Sequence, residues 1–197
     1  MSTSGRPPAT VRKVDDRRVS RTRRSIDAAF LALLKIRGYE GVAVSDIVRE
    51  ADVGRATFYE HYASKDDLLR AQLRHVSTLL RADGGPSGCF DATPLFSHVR
   101  DVPMLYRLIA GRSAAARSLR ILQEVLQERV AGLLEEYIAA GASLRAPLTA
   151  AVAARVIVAQ LAALLAWWTD SGMAATVDEM QQLFQACAGP LAATWHA

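Results

Sequence analysis

The sequence has few of the features that mark enzymes, metal proteins and disulfide-stabilised proteins. Its two cysteines, Cys89 and Cys187, lack the spacing of metal ligands and are too few for a disulfide framework. The four histidines are dispersed, and no Ser–His–Asp, Cys–His or paired-carboxylate cluster is present. Gly84-Gly85 is followed by Pro86 and leads to no P-loop lysine. We therefore expect no enzyme activity, no metal site and no cofactor.

Long apolar segments are also missing from the sequence. The N-terminus is polar and basic, without the apolar core of a signal peptide. The longest apolar stretch, Val156 to Trp168, is interrupted by Gln160 and is shorter than the roughly 20 residues that span a bilayer. It is typical of a buried helix. We expect a cytoplasmic protein without a membrane segment, and the low cysteine content is consistent with a reducing compartment.

Helix-forming residues dominate what is present. Alanine and leucine are the commonest apolar residues, and β-branched residues form no alternating runs. Apolar residues recur at helical spacing from Ile26 to Leu34, and Gly38 is placed to end that helix in a left-handed conformation. The pattern predicts an all-α fold of about nine helices without strands.

Basic charge is concentrated at the N-terminus. Residues 1–24 hold eight Lys and Arg against two Asp, a net charge of +6, whereas the whole chain carries only +4. A basic segment on a nearly neutral body favours a polyanionic partner at that end of the molecule. The alternative is a solvated tail without a partner. Residues 1–19 show no hydrophobic periodicity, and we predict a disordered basic arm there.

Residues 45–62 outline two short helices joined by a tight turn. Ser45 is predicted to cap a helix from Asp46 to Ala51, and a second helix runs from about Arg55 to His61. This outline is a helix-turn-helix. The positions expected to face the core are Ile47, Val48, Ala51, Val53, Phe58 and Tyr62. The positions expected outside or at the edges are Arg55, Ala56, Thr57, Tyr59 and His61. Arginine can bind guanine O6 and N7, small residues allow close approach, and hydroxyls can bind phosphate.

Three segments resemble the N-terminal domain of TetR-family regulators. They are Arg-Thr-Arg-Arg-Ser-Ile-Asp-Ala-Ala-Phe (21–30), Gly-Tyr-Glu-Gly-Val-Ala-Val-Ser-Asp-Ile (38–47) and Ala-Thr-Phe-Tyr-Glu-His-Tyr-Ala-Ser-Lys-Asp-Asp-Leu-Leu (56–69). The resemblance implies a DNA-binding domain over 20–66 and a helical effector-binding and dimerisation domain over 67–197. It covers about 50 residues, in the family's order and spacing.

The resemblance also implies DNA contacts at matching positions. Thr57 and Tyr59 match recognition-helix residues that touch backbone and bases, and Lys65 matches a lysine that meets a phosphate. The predicted DNA-contacting residues are Arg21, Thr22, Arg24, Ser45, Arg55, Ala56, Thr57, Tyr59, His61 and Lys65. Two positions depart from the family. Asp52 stands where the family commonly has Gly, and Asp tolerates the left-handed conformation of such a turn better than most residues. Gly54 stands where a Ser or Thr cap is common, so a hydroxyl group is lost there.

In this family the C-terminal unit holds a ligand pocket, and the last two helices pair in a homodimer. Small residues on the helix around 152–166 and an apolar stripe around 183–191 suit such pairing. Mostly apolar side chains would line the pocket for a small-molecule effector. The candidates are Phe96, His98, Met104, Tyr106, Leu122, Trp167 and Trp168. Each of them can equally be an ordinary core or interface residue.

The sequence thus predicts a dimeric repressor that binds a near-palindromic operator and is released by a small molecule. The main alternative is an architectural or nonspecific DNA-binding protein. The basic arm suits that alternative, whereas the large apolar C-terminal half does not.

Overall fold

The computed structural model describes residues 9–82, 90–112, 114–141, 143–144, 149–192 and 195–196. Within those ranges the chain forms nine α-helices and four two-residue strands, so the all-α prediction is confirmed. Two compact units divide after Leu68, two residues beyond the boundary expected at residue 66.

The first unit contains three helices and the start of a fourth. They are α1 (Ala9–Arg37), α2 (Val44–Glu50), α3 (Arg55–His61) and α4 (Lys65–Ser77), the last of which continues into the second unit. Its core is apolar and fully enclosed, with Ile26, Phe30, Ile47 and Phe58 each 0% exposed. These side chains come from α1, α2 and α3, so the core fixes the two short helices against the long one.

Helix α1 starts earlier than predicted, and the expectation of disorder over residues 9–19 is wrong. The helix begins at Ala9 and ends at Arg37. Residues 9–19 contain no Gly or Pro, and five of them (one Ala, one Lys and three Arg) are good helix formers. The helix propensity of these residues therefore extends α1 toward the N-terminus, beyond the segment that has an apolar face. Residues 1–8 of the predicted arm lie outside the described residues. Gly38 has φ +67°, the left-handed conformation expected at the end of α1.

The second unit contains the rest of α4 and five further helices, of which α8 is the central one. They are α5 (Thr93–Asp101), α6 (Pro103–Ala110), α7 (Ala116–Ala139), α8 (Ala150–Asp170) and α9 (Val177–Ala192). Helix α8 packs against α6, α7 and α9, and α5 packs against α9. Gln181 on α9 holds the start of α5, because its side chain accepts from the Ala92 N–H (2.9 Å) and donates to the Phe90 carbonyl (3.0 Å).

The prediction of no strands is wrong in two short places. Strand β1 (Arg81–Ala82) pairs antiparallel with β2 (Phe90–Asp91), and β3 (Ser143–Leu144) pairs antiparallel with β4 (Trp195–His196). Two-residue ladders need no alternating pattern, since backbone hydrogen bonds alone form them where two segments meet. Hydrophobic periodicity therefore does not reveal them.

Helix α8 is long and apolar enough to cross a bilayer. The helix has 21 residues, more than the apolar stretch from Val156 to Trp168, because residues 150–155 extend it at one end and residues 169–170 at the other. Its buried side chains include Ile157, Leu161 and Trp168. Since it packs against three other helices, α8 is the central core helix of the second unit.

Candidate nucleic-acid interface

Helices α2 and α3 form a helix-turn-helix whose turn is closed by backbone hydrogen bonds. The Val53 N–H donates to the Val48 carbonyl at 3.0 Å, and Asp52 has φ +52°. Asp tolerates this left-handed conformation better than most residues, as the sequence argument required. The Ser25 hydroxyl of α1 donates to the Ala51 carbonyl at 2.9 Å. The turn is thus held by α1 as well as by its own backbone.

Helix α3 turns one side toward the core and leaves the other exposed. Phe58 is 0% exposed, whereas the neighbouring Tyr59 is 50% exposed and meets the Phe58 ring edge-on at 5.4 Å between centroids. Arg55 and Ala56 are exposed as well, while Thr57 and His61 are half-buried at the edges. All five residues predicted for this face therefore occupy outward or edge positions. Such a face can enter a groove without disturbing the core. The half-buried positions are Thr57 and His61.

Ser45 is not the cap of α2, contrary to the prediction. The N-cap residue is Ala43, and α2 begins one residue before Ser45. The Asp46 carboxylate instead accepts from the Ala43 N–H at 3.1 Å, and this hydrogen bond lowers the pKa of Asp46. Helix ends commonly differ by one or two residues between one way of assigning them and another. Ser45 remains exposed in the first turn of α2.

Lys65 connects the start of α4 to the segment between α1 and α2. Its ammonium donates to the carbonyls of Tyr39 and Val42, each at 2.8 Å. It also lies 4.3 Å from the centroid of the Tyr39 ring, and the Tyr39 hydroxyl donates to Asp66. Two of the three ammonium hydrogens thus bind the segment between α1 and α2. These two hydrogen bonds give Lys65 a structural role that the sequence did not reveal. The third hydrogen remains for an anion.

The arginines at the middle of α1 lie before the first core residue, Ile26. Arg21 and Arg24 are exposed, and Thr22 is half-buried. Arg24 donates from Nε to the Ser20 carbonyl at 3.2 Å within the helix. These side chains leave the basic surface accessible, as a phosphate contact would require.

A hydrogen-bonded chain between α1 and α3 was missed by the sequence argument. The Tyr62 hydroxyl donates to the Asp27 carboxylate at 2.6 Å and accepts from Arg23 Nε at 3.0 Å. Burial is the largest effect that raises the pKa of Tyr62, to about 12. A signal was available, because a tyrosine at a core position needs a partner for its hydroxyl. Arg23 and Asp27 also stand four apart, on one helix face.

Gly54 offers a direct test of the capping of α3. It is the N-cap residue, with φ −68° and no side-chain cap, and a Cβ there would meet only the Thr57 Oγ1, at 3.7 Å. We expect Gly54→Ser to be more stable than Gly54→Ala by about 1 kcal/mol, because only serine can accept from an N–H of the first turn. Urea unfolding of both variants measures the difference. Equal stability would contradict the expected cap.

The residues predicted to line a ligand pocket lie in the second unit but in different surroundings. Phe96 and Trp168 are fully buried and meet edge-on, with 5.8 Å between ring centroids. His98 and Tyr106 form a similar pair at 5.9 Å, and burial raises the pKa of Tyr106. Leu122 is buried on α7. Phe96, Tyr106, Leu122 and Trp168 are thus core residues of the unit, whereas His98 is half-buried.

The other two pocket candidates, Met104 and Trp167, are 55% and 50% exposed. Trp167 lines an open groove of about 580 Å³ between the end of α8 and α9, together with Leu183 and Ala186. Of the seven candidates, Trp167 is the one that lines this groove. Burial depends on how the helices pack, which residue type alone did not reveal. Among the described residues, no group of three His, Cys, Asp or Glu could hold a metal ion.

Comparisons with known proteins concentrate on the first unit. Residues 26–71 match the family described as bacterial regulatory proteins, tetR family. The HTH-type transcriptional regulator YxbF of Bacillus subtilis is 47% identical over 60 residues, 30% of this chain and 16% of that protein. The HTH-type transcriptional repressor LfrR of Mycolicibacterium smegmatis is 46% identical over 63 residues, 32% of each chain. The matched segment thus spans less than a third of either relative.

The whole fold has solved counterparts. A TetR transcriptional regulator from Streptococcus agalactiae superimposes with a TM-score of 0.60 and 22% identity, covering 89% of this chain and 98% of that one. At this identity the similarity shows the shared fold of both units.

Proposed function

We propose that the chain is a transcriptional regulator of the tetR family, whose model matches residues 26–71, and that it binds a specific DNA sequence and is not an enzyme. The observation that carries this proposal is the exposed side of α3. Arg55, Ala56 and Tyr59 are all exposed on a short helix whose other side is anchored by Phe58. A helix presented in this way fits the major groove of duplex DNA.

The proposed contacts divide into those that read bases and those that bind the backbone. Arg55 in the first turn of α3 is the candidate for guanine O6 and N7, and Ala56 lets the helix approach closely. Thr57, Tyr59 and His61 supply hydroxyl and imidazole groups at the groove edges. The proposed backbone contacts are those of Arg21, Thr22, Arg24, Ser45 and Lys65.

We propose that two copies act together through α8 and α9. Exposed apolar or small side chains follow one side of α8 at spacings of three or four residues, and α9 adds a second set. Val156 is 38%, Trp167 50% and Leu183 41% exposed, which is unusual for side chains of this size. The members of this dimer surface are Val152, Val156, Ala159, Ala163, Trp167, Leu183, Ala186 and Cys187. Twofold pairing would present two α3 helices to a near-palindromic site.

Repression and release by an apolar small molecule complete the proposal. One relative is named a repressor, which favours that sign of regulation here. The Phe96–Trp168 and His98–Tyr106 pairs are closed in this structure, so an effector among them would stabilise a different packing of the second unit. It would weaken DNA binding only through its preference for that second packing. The site of action is chromosomal DNA in the cytoplasm.

Sequence selectivity is tested by selection followed by competition. The full-length protein is used to enrich duplexes from a random pool, and the enriched duplex is then challenged with random duplex at physiological salt. We expect binding to survive about a thousandfold excess of competitor, because specific sites are typically preferred by at least that factor. Equal competition would support an architectural DNA-binding protein instead.

A further inference from the structure

Tyr62 joins α3 to α1 through its hydroxyl group. The residue is the C-cap of α3 and is 3% exposed, yet its hydroxyl reaches Asp27 and Arg23 on α1. The Arg23 guanidinium also lies 5.7 Å from the centroid of the Tyr62 ring. One face of the tyrosine thus packs in the core while its oxygen and ring hold a charged group at the surface.

Resting on the function proposed above, we propose that Arg23 binds a DNA phosphate and that Tyr62, oriented by Asp27, positions its guanidinium for that contact. Arg23 uses Nε to bind Tyr62, which leaves the two terminal NH₂ groups as a fork suited to phosphate oxygens. Tyr62 and Asp27 are positioning residues and touch no DNA themselves.

The surroundings of Arg23 favour a phosphate over a purely structural role. The residue is exposed and stands between Arg21 and Arg24, which are also exposed. It takes part in none of the ion pairs among the side chains that the structure describes. Asp27 is reached through Tyr62, so the positive charge keeps its outer side toward solvent. The Tyr62 hydroxyl is protonated at neutral pH, so it donates to Asp27 and accepts from Arg23 together.

A phosphate bound in this way would fix the positions of α1 and α3 relative to the DNA backbone. The hydrogen bonds of Tyr62, at the end of α3, connect that helix to Arg23 and Asp27 in the middle of α1. Arg23 would therefore contribute affinity that is independent of base sequence and would help fix the angle at which α3 enters the groove.

The test measures the salt dependence of binding to the enriched duplex and to a random 30-base-pair duplex. For a dimer with one Arg23 contact in each copy, Arg23→Gln should reduce the slope of log K against log salt by about 1.8 on both duplexes. Lys35→Gln, which removes an exposed charge at the other end of α1, should leave the slope unchanged. Arg23→Lys should keep the slope but bind more weakly than the wild type.

Positioning is tested by Tyr62→Phe, which keeps the ring and the Arg23 charge. We expect about a tenfold loss of affinity for the dimer, because each of the two Arg23 side chains must then be ordered when DNA binds. The Arg23→Gln/Tyr62→Phe double variant should bind as well as Arg23→Gln alone. Thermal melts establish that each variant is folded. An unchanged slope in Arg23→Gln overturns the phosphate contact, and full affinity in Tyr62→Phe overturns the positioning. Failure of the wild-type protein to bind any duplex would instead refute the proposed function.

Discussion

Replacing Thr57 and Tyr59 together by alanine is expected to weaken operator binding about a thousandfold. In a dimer the two substitutions remove four contacts, and at about 1 kcal/mol each the loss is about 4 kcal/mol. Tyr59 is half exposed and Thr57 half-buried near the start of α3, so neither supplies a large share of the core. A titration of the duplex enriched by the wild-type protein measures the change.

The control for this variant is Glu40→Ala, since Glu40 is exposed between α1 and α2. It should bind the operator as the wild type does. Circular dichroism and sedimentation of the double variant should match those of the wild type. Affinity within threefold of the wild-type value would show that α3 is not the reading helix.

Glutamate at both Val156 and Leu183 should convert the protein to a monomer. These side chains are 38% and 41% exposed on α8 and α9, and two copies of the surface would bring four carboxylates into an apolar contact. Glutamate is a good helix former, so the helices themselves should persist. Sedimentation equilibrium over a range of concentrations measures the oligomeric state.

Loss of the dimer should also lower operator affinity by about a hundredfold or more, because the second half-site is no longer held at high effective concentration. Ile36→Glu is the matched control, since Ile36 is 79% exposed and lies on α1 in the other unit. It should remain dimeric. A dimeric Val156→Glu/Leu183→Glu protein would place the pairing surface elsewhere.

The helix-turn-helix was accessible from the sequence because its determinants are local. Ile47, Ala51 and Phe58 mark the buried side by spacing alone, and Asp52 and Gly54 mark the turn. Even here the start of α2 was misplaced, because the N-cap residue is Ala43, whose N–H binds the Asp46 carboxylate, and Ser45 lies inside the helix. The residues Ser45 and Asp46 are compatible with either interaction, a serine cap or a carboxylate that binds the N-cap N–H.

Interactions between distant segments could not be read in this way. Lys65 binds carbonyls 26 and 23 residues away, and Tyr62 reaches Asp27 over 35 residues. No periodic pattern encodes such pairs. The burial of the pocket candidates could not be predicted from the sequence for a related reason. Trp167 and Trp168 are neighbours in the chain, but Trp167 is 50% exposed and Trp168 0% exposed, because only one side of α8 packs against the core.

The anchoring of Lys65 has a consequence for the cost of binding DNA. A lysine side chain on a surface gives up about 2 kcal/mol of rotamer freedom when an anion captures it. The Tyr39 and Val42 carbonyls already restrict this side chain when the unit folds. Its ordering therefore belongs to folding rather than to association, so under the proposed function a phosphate would meet an ammonium group that has little conformational entropy left to lose.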